Sequence, residues 1–429
     1  MLTTKDIAKD KYAKNHPEMA SPARRGGFTL RRILAAACIL MLACLAPVFA
    51  AQEDSTFKVM TQNMDSGTDL GFALYGLQQP DPRPYVDLTL LEADASDIPG
   101  RASYLAAEIA SAKPHLVSLQ EVTLWRTGLT PATATTVRYD QLQLLMDALQ
   151  SLGAHYRVVA VNTLTDISLP TTAAGPGAVR YTDRDVLLAR SDLRSSEFLI
   201  SDVHTHIYRA ALTVGDFTVR RGYITALVRF NNKLFYIADT HLENQWPGIP
   251  ATAVIQHLQA SELLEFMRNR VQPVILTGDY NADAIYGTSG PGPDNTDTVA
   301  FIESAGYADS WATYNPGSPG ATWPLFLEDQ TPPNFFTNTT PWERIDLIFY
   351  KSLGVANSVQ IGAGQGFPDA ASDHVGVMTT FQFGDQRQHR ARTRPMRWGD
   401  SRIAPPANTA SGLWPSDHVG VAVRLETGD

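Results

Sequence analysis

Residues 273–283, PVILTGDYNAD, constrain the fold of this chain more than any other stretch. Residues 273–276 are a brief apolar run containing Val and Ile, the composition of a buried strand. Thr277 and Gly278 close it, and Asp279 and Asn281 then stand two residues apart at its C-terminal edge. Alternate side chains of an extended segment point the same way, so a carboxylate and a carboxamide project together above a sheet edge. The carboxylate can take a divalent cation, and the amide can hold a phosphoryl oxygen or orient a water. Gly-Asp-x-Asn is also good turn chemistry. The choice between these readings depends on what else gathers at the same edge.

Other apolar runs end in the same manner. Residues 57–64 (FKVMTQNM) read as a strand with Asn63 near its end, and 115–119 as one followed by Gln120 and Glu121. The strand 233–239 precedes His241 in DTHLEN, 344–350 (RIDLIFY) carries Asp346, and 372–383 opens on Asp373 and His374. Residues 155–161, 185–189 and 359–362 read as further strands, and 223–230 pairs with 233–239 as a hairpin around Asn231-Asn232. Apolar residues recur at helical spacing in 101–112, 139–152, 251–270 and 296–304. Residues 70–99, 164–181 and 315–342, rich in Pro, Gly, Thr, Asp or aromatics, read as loops. Strands and helices alternate early, with hairpins between and at the end. That order suits an α/β fold of two packed mixed sheets with helices outside. The one internal echo is the hexapeptide SDHVGV, at 372–377 and again at 416–421.

The 429 residues are 44% hydrophobic and 18% charged, an ordinary globular balance. A net charge of -9 shows no broad basic footprint for nucleic acid. Residues 24–50 place four arginines before an apolar run from Ile33 to Leu45, then Val48-Phe-Ala50, the pattern of a secretory signal cleaved after Ala50. Both cysteines, Cys38 and Cys44, fall inside that signal. The mature chain is therefore expected outside the cytoplasm, secreted or periplasmic, with no disulfide, zinc-thiolate site or cysteine nucleophile. Residues 1–50 are read as leader, 51–383 as the catalytic domain, and 384–429 as a C-terminal extension.

The order TQNM, LQEV, THLE, GDYN, RIDLIF, SDH resembles the endonuclease/exonuclease/phosphatase superfamily, the group of DNase I, apurinic endonucleases and neutral sphingomyelinases. The resemblance covers residues 56–383. VMTQNMDSGTDL, LQEVTLWR and DRDVLLAR are most similar to bacterial exported members. It implies a four-layered α/β/β/α sandwich and a Mg²⁺ site, with Mn²⁺ as a substitute. Glu121 would be the principal metal ligand, supported by Asn63 and Asp373. Asp279 and Asn281 would orient the attacking water and the phosphoryl group, His241 would donate to a phosphate oxygen, and Asp346 resembles the carboxylate that braces His241. The Asp373-His374 pair would supply the base, His374 taking its bracing carboxylate from elsewhere on the rim. The alternative pair is Asp417-His418, in which case 384–429 contributes the last strand in place of 372–383.

The resulting expectation is an exported, monomeric, Mg²⁺-dependent phosphodiesterase. Its partner is a phosphate ester: nucleic acid, phospholipid headgroup or inositol phosphate. A sphingomyelinase-like lipid hydrolase and an inactive binding protein of the same fold are the alternatives. Asp183-Arg184 and Arg220-Arg221 are read as surface charges, and the aromatics between 323 and 342 as a packed loop.

Overall fold

The computed structural model describes residues 56–214, 217–245, 249–285, 297–328, 332 and 334–383, and the backbone of two short strands at 395–397 and 421–423. The leader and the pair Asp417-His418 lie outside the described residues.

β1 (Thr56–Asn63) leads into α1 (Gly71–Gly76), α2 (Arg83–Ala95) and α3 (Ile98–Ala112). β2 (Leu116–Gln120), β3 (Leu124–Gly128), β4 (Thr136–Asp140) and α4 (Gln141–Ser151) follow. A long hairpin, β5 (Tyr156–Pro170) and β6 (Ala178–Arg190), precedes β7 (Phe198–Ile207). Next come the small hairpin β8 (Leu212–Val214) and β9 (Phe217–Val219), then the larger hairpin β10 (Gly222–Phe230) and β11 (Lys233–His241). α5 (Ala251–Met267) returns the chain to β12 (Val274–Asp279). α6 (Thr298–Ser304), β13 (Ala308–Asp309), α7 (Ser310–Tyr314), β14 (Phe326–Leu327) and β15 (Thr337–Asn338) lead to β16 (Asp346–Lys351), β17 (Gly354–Ile361) and β18 (Gly376–Gln382).

One sheet runs β17-β18-β1-β2-β6-β3-β4, with β5 on β6; the other runs β13-β16-β12-β11-β10-β7. Both are mixed: β1 and β2 are parallel in the first, β11 and β12 in the second. The period of two sets the packing. Phe57, Val59, Leu116 and Leu187 from the first sheet meet Ile224, Phe235, Ile237, Ile275 and Ile348 from the second in the sandwich interior. The alternate residues face outward. Val117, Leu119 and Leu188 pack under α3 and α4, and Ala238, Leu276 and Leu347 pack under α5 and α6. This is the four-layered α/β/β/α arrangement.

Two segments expected as loops are ordered elements. Residues 70–99 hold α1 and α2, in which Val86, Thr89, Leu90 and Ala93 recur at helical spacing and are buried. Residues 164–181 are mostly the paired arms of β5 and β6. Among the described residues no helix is long and apolar enough to cross a membrane.

Candidate active site

Toward one end of the sandwich, the interior face changes from apolar to polar. Ser118 Oγ meets Thr277 Oγ1 across the sheets at 2.6 Å, Gln120 Nε2 donates to Asp239 Oδ1 at 2.7 Å, and Asn63 Nδ2 donates to Asp279 Oδ2 at 2.9 Å. The last rung carries the titratable groups. In register, His241 lies beside Asp279 and Asp279 beside Asp346, so three adjacent strands present these side chains in one row. The turn reading of GDYN holds, and the same carboxylate also faces the neighbouring strands. Asp279 Oδ1 accepts the Asn281 N–H at 2.8 Å, closing an Asx turn, while Oδ2 stays on the rung.

Glu121 follows β2 with a left-handed backbone, φ 55°. Its Oε1 accepts from Asn63 Nδ2 at 3.0 Å and its Oε2 from the Ser66 N–H at 2.9 Å. Arg184 holds the next residues in place through Val122 O at 2.7 Å and Thr123 O at 3.2 Å. Asn63 does more than a simple metal support would. Its Oδ1 accepts the Asp65 N–H at 2.8 Å, and its Nδ2 bridges Glu121 and Asp279. The amide orients two carboxylates and keeps a second lone pair on its oxygen.

Asp346 also differs from expectation. Its Oδ2 lies 2.8 Å from Nδ1 of His374, so it braces His374 and not His241. Nδ1 carries the proton in that bond, leaving Nε2 to face the cleft, 3.9 Å from both Asp279 Oδ2 and Asp373 Oδ1. Burial opposes charge on His374, but Asp346, Asp373 and Asp279 outweigh it and hold its pKa well above the ordinary histidine value. Burial, with Asp346 nearby, pushes Asp279 up to about 7. Burial also pushes Asp373 up to about 7, against the pull of His374. Asp373 Oδ2 accepts from Trp323 Nε1 at 2.8 Å, so the aromatic segment reaches the site. Phe326 and Phe335 are buried and Phe336 stacks on Phe367 at 4.4 Å, whereas Trp342 is exposed.

His241 is held by Arg221, whose Nη1 lies 2.8 Å from His241 Nδ1. A guanidinium can only donate, so Nδ1 accepts and the ring proton sits on Nε2. Burial, then the charges of Arg221 and His374, lower the His241 pKa well below the ordinary value, so the ring is neutral. Asn281 Nδ2 lies 3.1 Å from His241 Nε2 and donates to Leu242 O at 3.0 Å. That carbonyl fixes the amide orientation. Two donor nitrogens therefore lie side by side, with Asp279 Oδ2 3.6 Å from Nε2, an arrangement that an anionic oxygen accepting from both would satisfy.

Glu121, Asp279, Asn281, Asp373, His374 and Arg221 line one cleft of ≈ 300 Å³. Among the described residues no cationic side chain pairs with Glu121, and Asp65 and Glu121 both raise the proton affinity of Asp373. Hard oxygen donors that repel one another around shared space fit a divalent cation. Asp279, Asp346 and His374 form a second tight group, with one ligand atom from each within 4.8 Å of the others.

The cleft also corrects the arginine reading. Arg221 is 13% exposed, 3.7 Å from Asp183 Oδ2, and both line the cleft. Arg184 is buried and ion-paired with Asp140 at 2.6 Å. Arg220 is exposed, as expected. Asp65 was missed, although it stands two residues after Asn63. It is buried and ion-paired with buried Arg101 at 2.7 Å. Glu328 was missed as well, and no pattern in its segment marks it.

The model of the Endonuclease/Exonuclease/phosphatase family matches residues 60–418, a stretch that spans the first SDH copy and ends on His418 of the second. An endonuclease/exonuclease/phosphatase from Beutenbergia cavernae DSM 12333 is 22% identical over 87% of this chain and 82% of its own, with a TM-score of 0.50. A family protein from Leptotrichia buccalis C-1013-b is 15% identical over 76% of this chain and 100% of its own, at 0.48. Mannosyl-6-phosphatase Bt3783 from Bacteroides thetaiotaomicron VPI-5482 is 15% identical over 76% and 100%, at 0.42. At such identities the likeness is one of fold. A comparison with curated proteins returned no match.

Proposed function

The chain belongs to the endonuclease/exonuclease/phosphatase family, and from that premise we propose that it is a Mg²⁺-dependent phosphodiesterase acting outside the cytoplasm. Enzymes of this family are hydrolases of phosphoester bonds that use divalent metals. The observation that carries the proposal is the placement of a braced histidine, His374, across Asp279 from the converging donors of His241 and Asn281.

Glu121 and Asp373 would hold the cation, which supplies charge neutralisation at the phosphate and relieves the negative field around His374. The donors of His241 Nε2 and Asn281 Nδ2 bind a phosphoryl oxygen and gain strength as its charge grows. A water fits between His374 Nε2 and Asp279 Oδ2, whose separation of 3.9 Å leaves each of them within reach of it. His374 takes one proton from that water as its oxygen attacks phosphorus, and Asp346 stabilises the imidazolium that forms. The P–O bond to the leaving alcohol breaks, and the departing alkoxide takes its proton from solvent or from the imidazolium. The signal-like segment 24–50 supports the location.

Hydrolysis of bis-p-nitrophenyl phosphate tests this reading. Turnover is expected with Mg²⁺ and not with EDTA. Glu121→Ala and His374→Ala should each lower kcat by about 10² or more while the protein still melts cooperatively. His418→Ala should turn over like wild type. Wild-type rates in His374→Ala would remove that residue as the base, and absence of turnover across a panel of phosphodiesters would leave a binding protein.

A further inference from the structure

The reacting groups occupy one part of the cleft, and the rest has a different character. One wall carries Asp65, Asp69 and Glu328 beside Asp373. Glu328 is 7% exposed, is hydrogen-bonded to Asp65, and has an Oε1 with no partner. The largest charge effects on it are all from carboxylates: Asp65, Asp373, Glu92 and Asp69. Among the described residues, the two arginines nearest the wall are already engaged. Arg101 binds Asp65, Met64 O and Ser96 O, and Arg221 binds His241 and lies against Asp183. Leu70, Leu74, Phe217 and Trp323 complete the lining with apolar surface.

A buried carboxyl surrounded by carboxyls calls for a cation. The oxygens of Asp65, Glu328 and Asp373 do not gather within 4.8 Å of one another, as the only such group among the described residues is Asp279, Asp346 and His374. They cannot jointly enclose a bare ion. An organic ammonium is wider. It meets separated carboxylates at its N–H or N–CH faces and lays its carbon substituents against leucine and aromatic side chains. The same wall repels further phosphates, which disfavours a polyanion in this part of the cleft.

We propose that the wall of Asp65, Asp69 and Glu328 is a subsite for an ammonium group carried by the substrate, whose preferred form is a zwitterionic phosphodiester. This rests on the phosphodiesterase reading above.

The probes are p-nitrophenyl phosphorylcholine and its ammonium-free isostere, p-nitrophenyl 3,3-dimethylbutyl phosphate, with bis-p-nitrophenyl phosphate as the control for the chemistry. Wild type should favour the choline ester by about tenfold in kcat/KM. Glu328→Gln should shrink that ratio to near unity, and Asp69→Asn should reduce it. Equal wild-type rates on the two esters, or turnover of the bis ester alone, overturn the subsite and leave the phosphodiesterase standing. Failure on all three esters removes both. A Glu328→Gln protein that keeps the ratio but needs a different Mg²⁺ concentration would mean a hydrated metal ion occupies the wall, and the ammonium proposal falls. The wild-type ratio needs no variant to fold. Parallel arms with glycerophosphocholine and with phosphatidylcholine micelles distinguish a soluble source of the ammonium from a lipid one.

Discussion

Arg221 acts at the scale of a single proton. By donating into Nδ1 it leaves His241 one neutral tautomer, with Nε2–H beside Asn281 Nδ2, where we propose that a phosphoryl oxygen binds. Arg221→Met should lower kcat by about 10² and give His241 a mixed tautomer population in ¹⁵N NMR spectra, with Arg221→Lys recovering part of both. An unchanged tautomer in Arg221→Met would show that packing alone orients the ring. At this scale the sequence was only partly legible. Asp279, Asn281, His241, Glu121 and His374 were visible because each borders an apolar run. Arg221 was not, because a basic pair before a strand looks the same whether its side chain turns to water or to a carboxylate. Nor does the sequence say which carboxylate braces which histidine. Asp346 lies beside Asp279 in register, yet its free oxygen is within reach of His374, which comes from the opposite sheet.

At the scale of elements, the rung depends on how closely β11 and β12 approach. Gly278 has φ +149°, and a Cβ there would lie 1.9 Å from Thr240 O, on the strand that ends at His241. Gly278→Ala should destabilise the protein by about 3 kcal/mol and, by displacing Asp279 from His241, cost about 10² in kcat. Chemical denaturation and steady-state kinetics on the same sample check both effects. The strands that hold the site could be read from their short β-branched runs. α2 could not, since its Pro and Asp content outweighed the spacing of Val86, Leu90 and Ala93. β5 runs past its apolar half as an arm with Thr163, Thr165 and Ser168, held to β6 by backbone pairing.

At the scale of the molecule, burial acts on several carboxyls in the same direction. Burial pushes Asp183, Asp279, Asp373 and Glu108 each up to about 7. The folded state keeps these protons at pH values where the unfolded chain has lost them. Their contribution to stability is therefore complete below the unfolded carboxylate range and is lost as pH rises through about 7. His115 opposes this. Pushed down to about 4, chiefly by burial, it costs stability as pH falls from 6.5 toward 4. In EDTA the melting temperature should accordingly be higher at pH 6.5 than at pH 8, and Mg²⁺ should narrow the gap by taking the place of protons. A flat or reversed profile in calorimetry would contradict this charge balance.

The apolar-to-polar gradient between the sheets separates what can drift from what cannot. The reacting row is continuous with the strands that bury Ile237, Ile275 and Ile348, so a change there disturbs folding and chemistry together. The walls come from α1, the β8–β9 hairpin and the segment that carries Trp323 and Glu328, outside that central packing. Selection can rebuild those walls for a new customer while the machinery beneath them stays as it was.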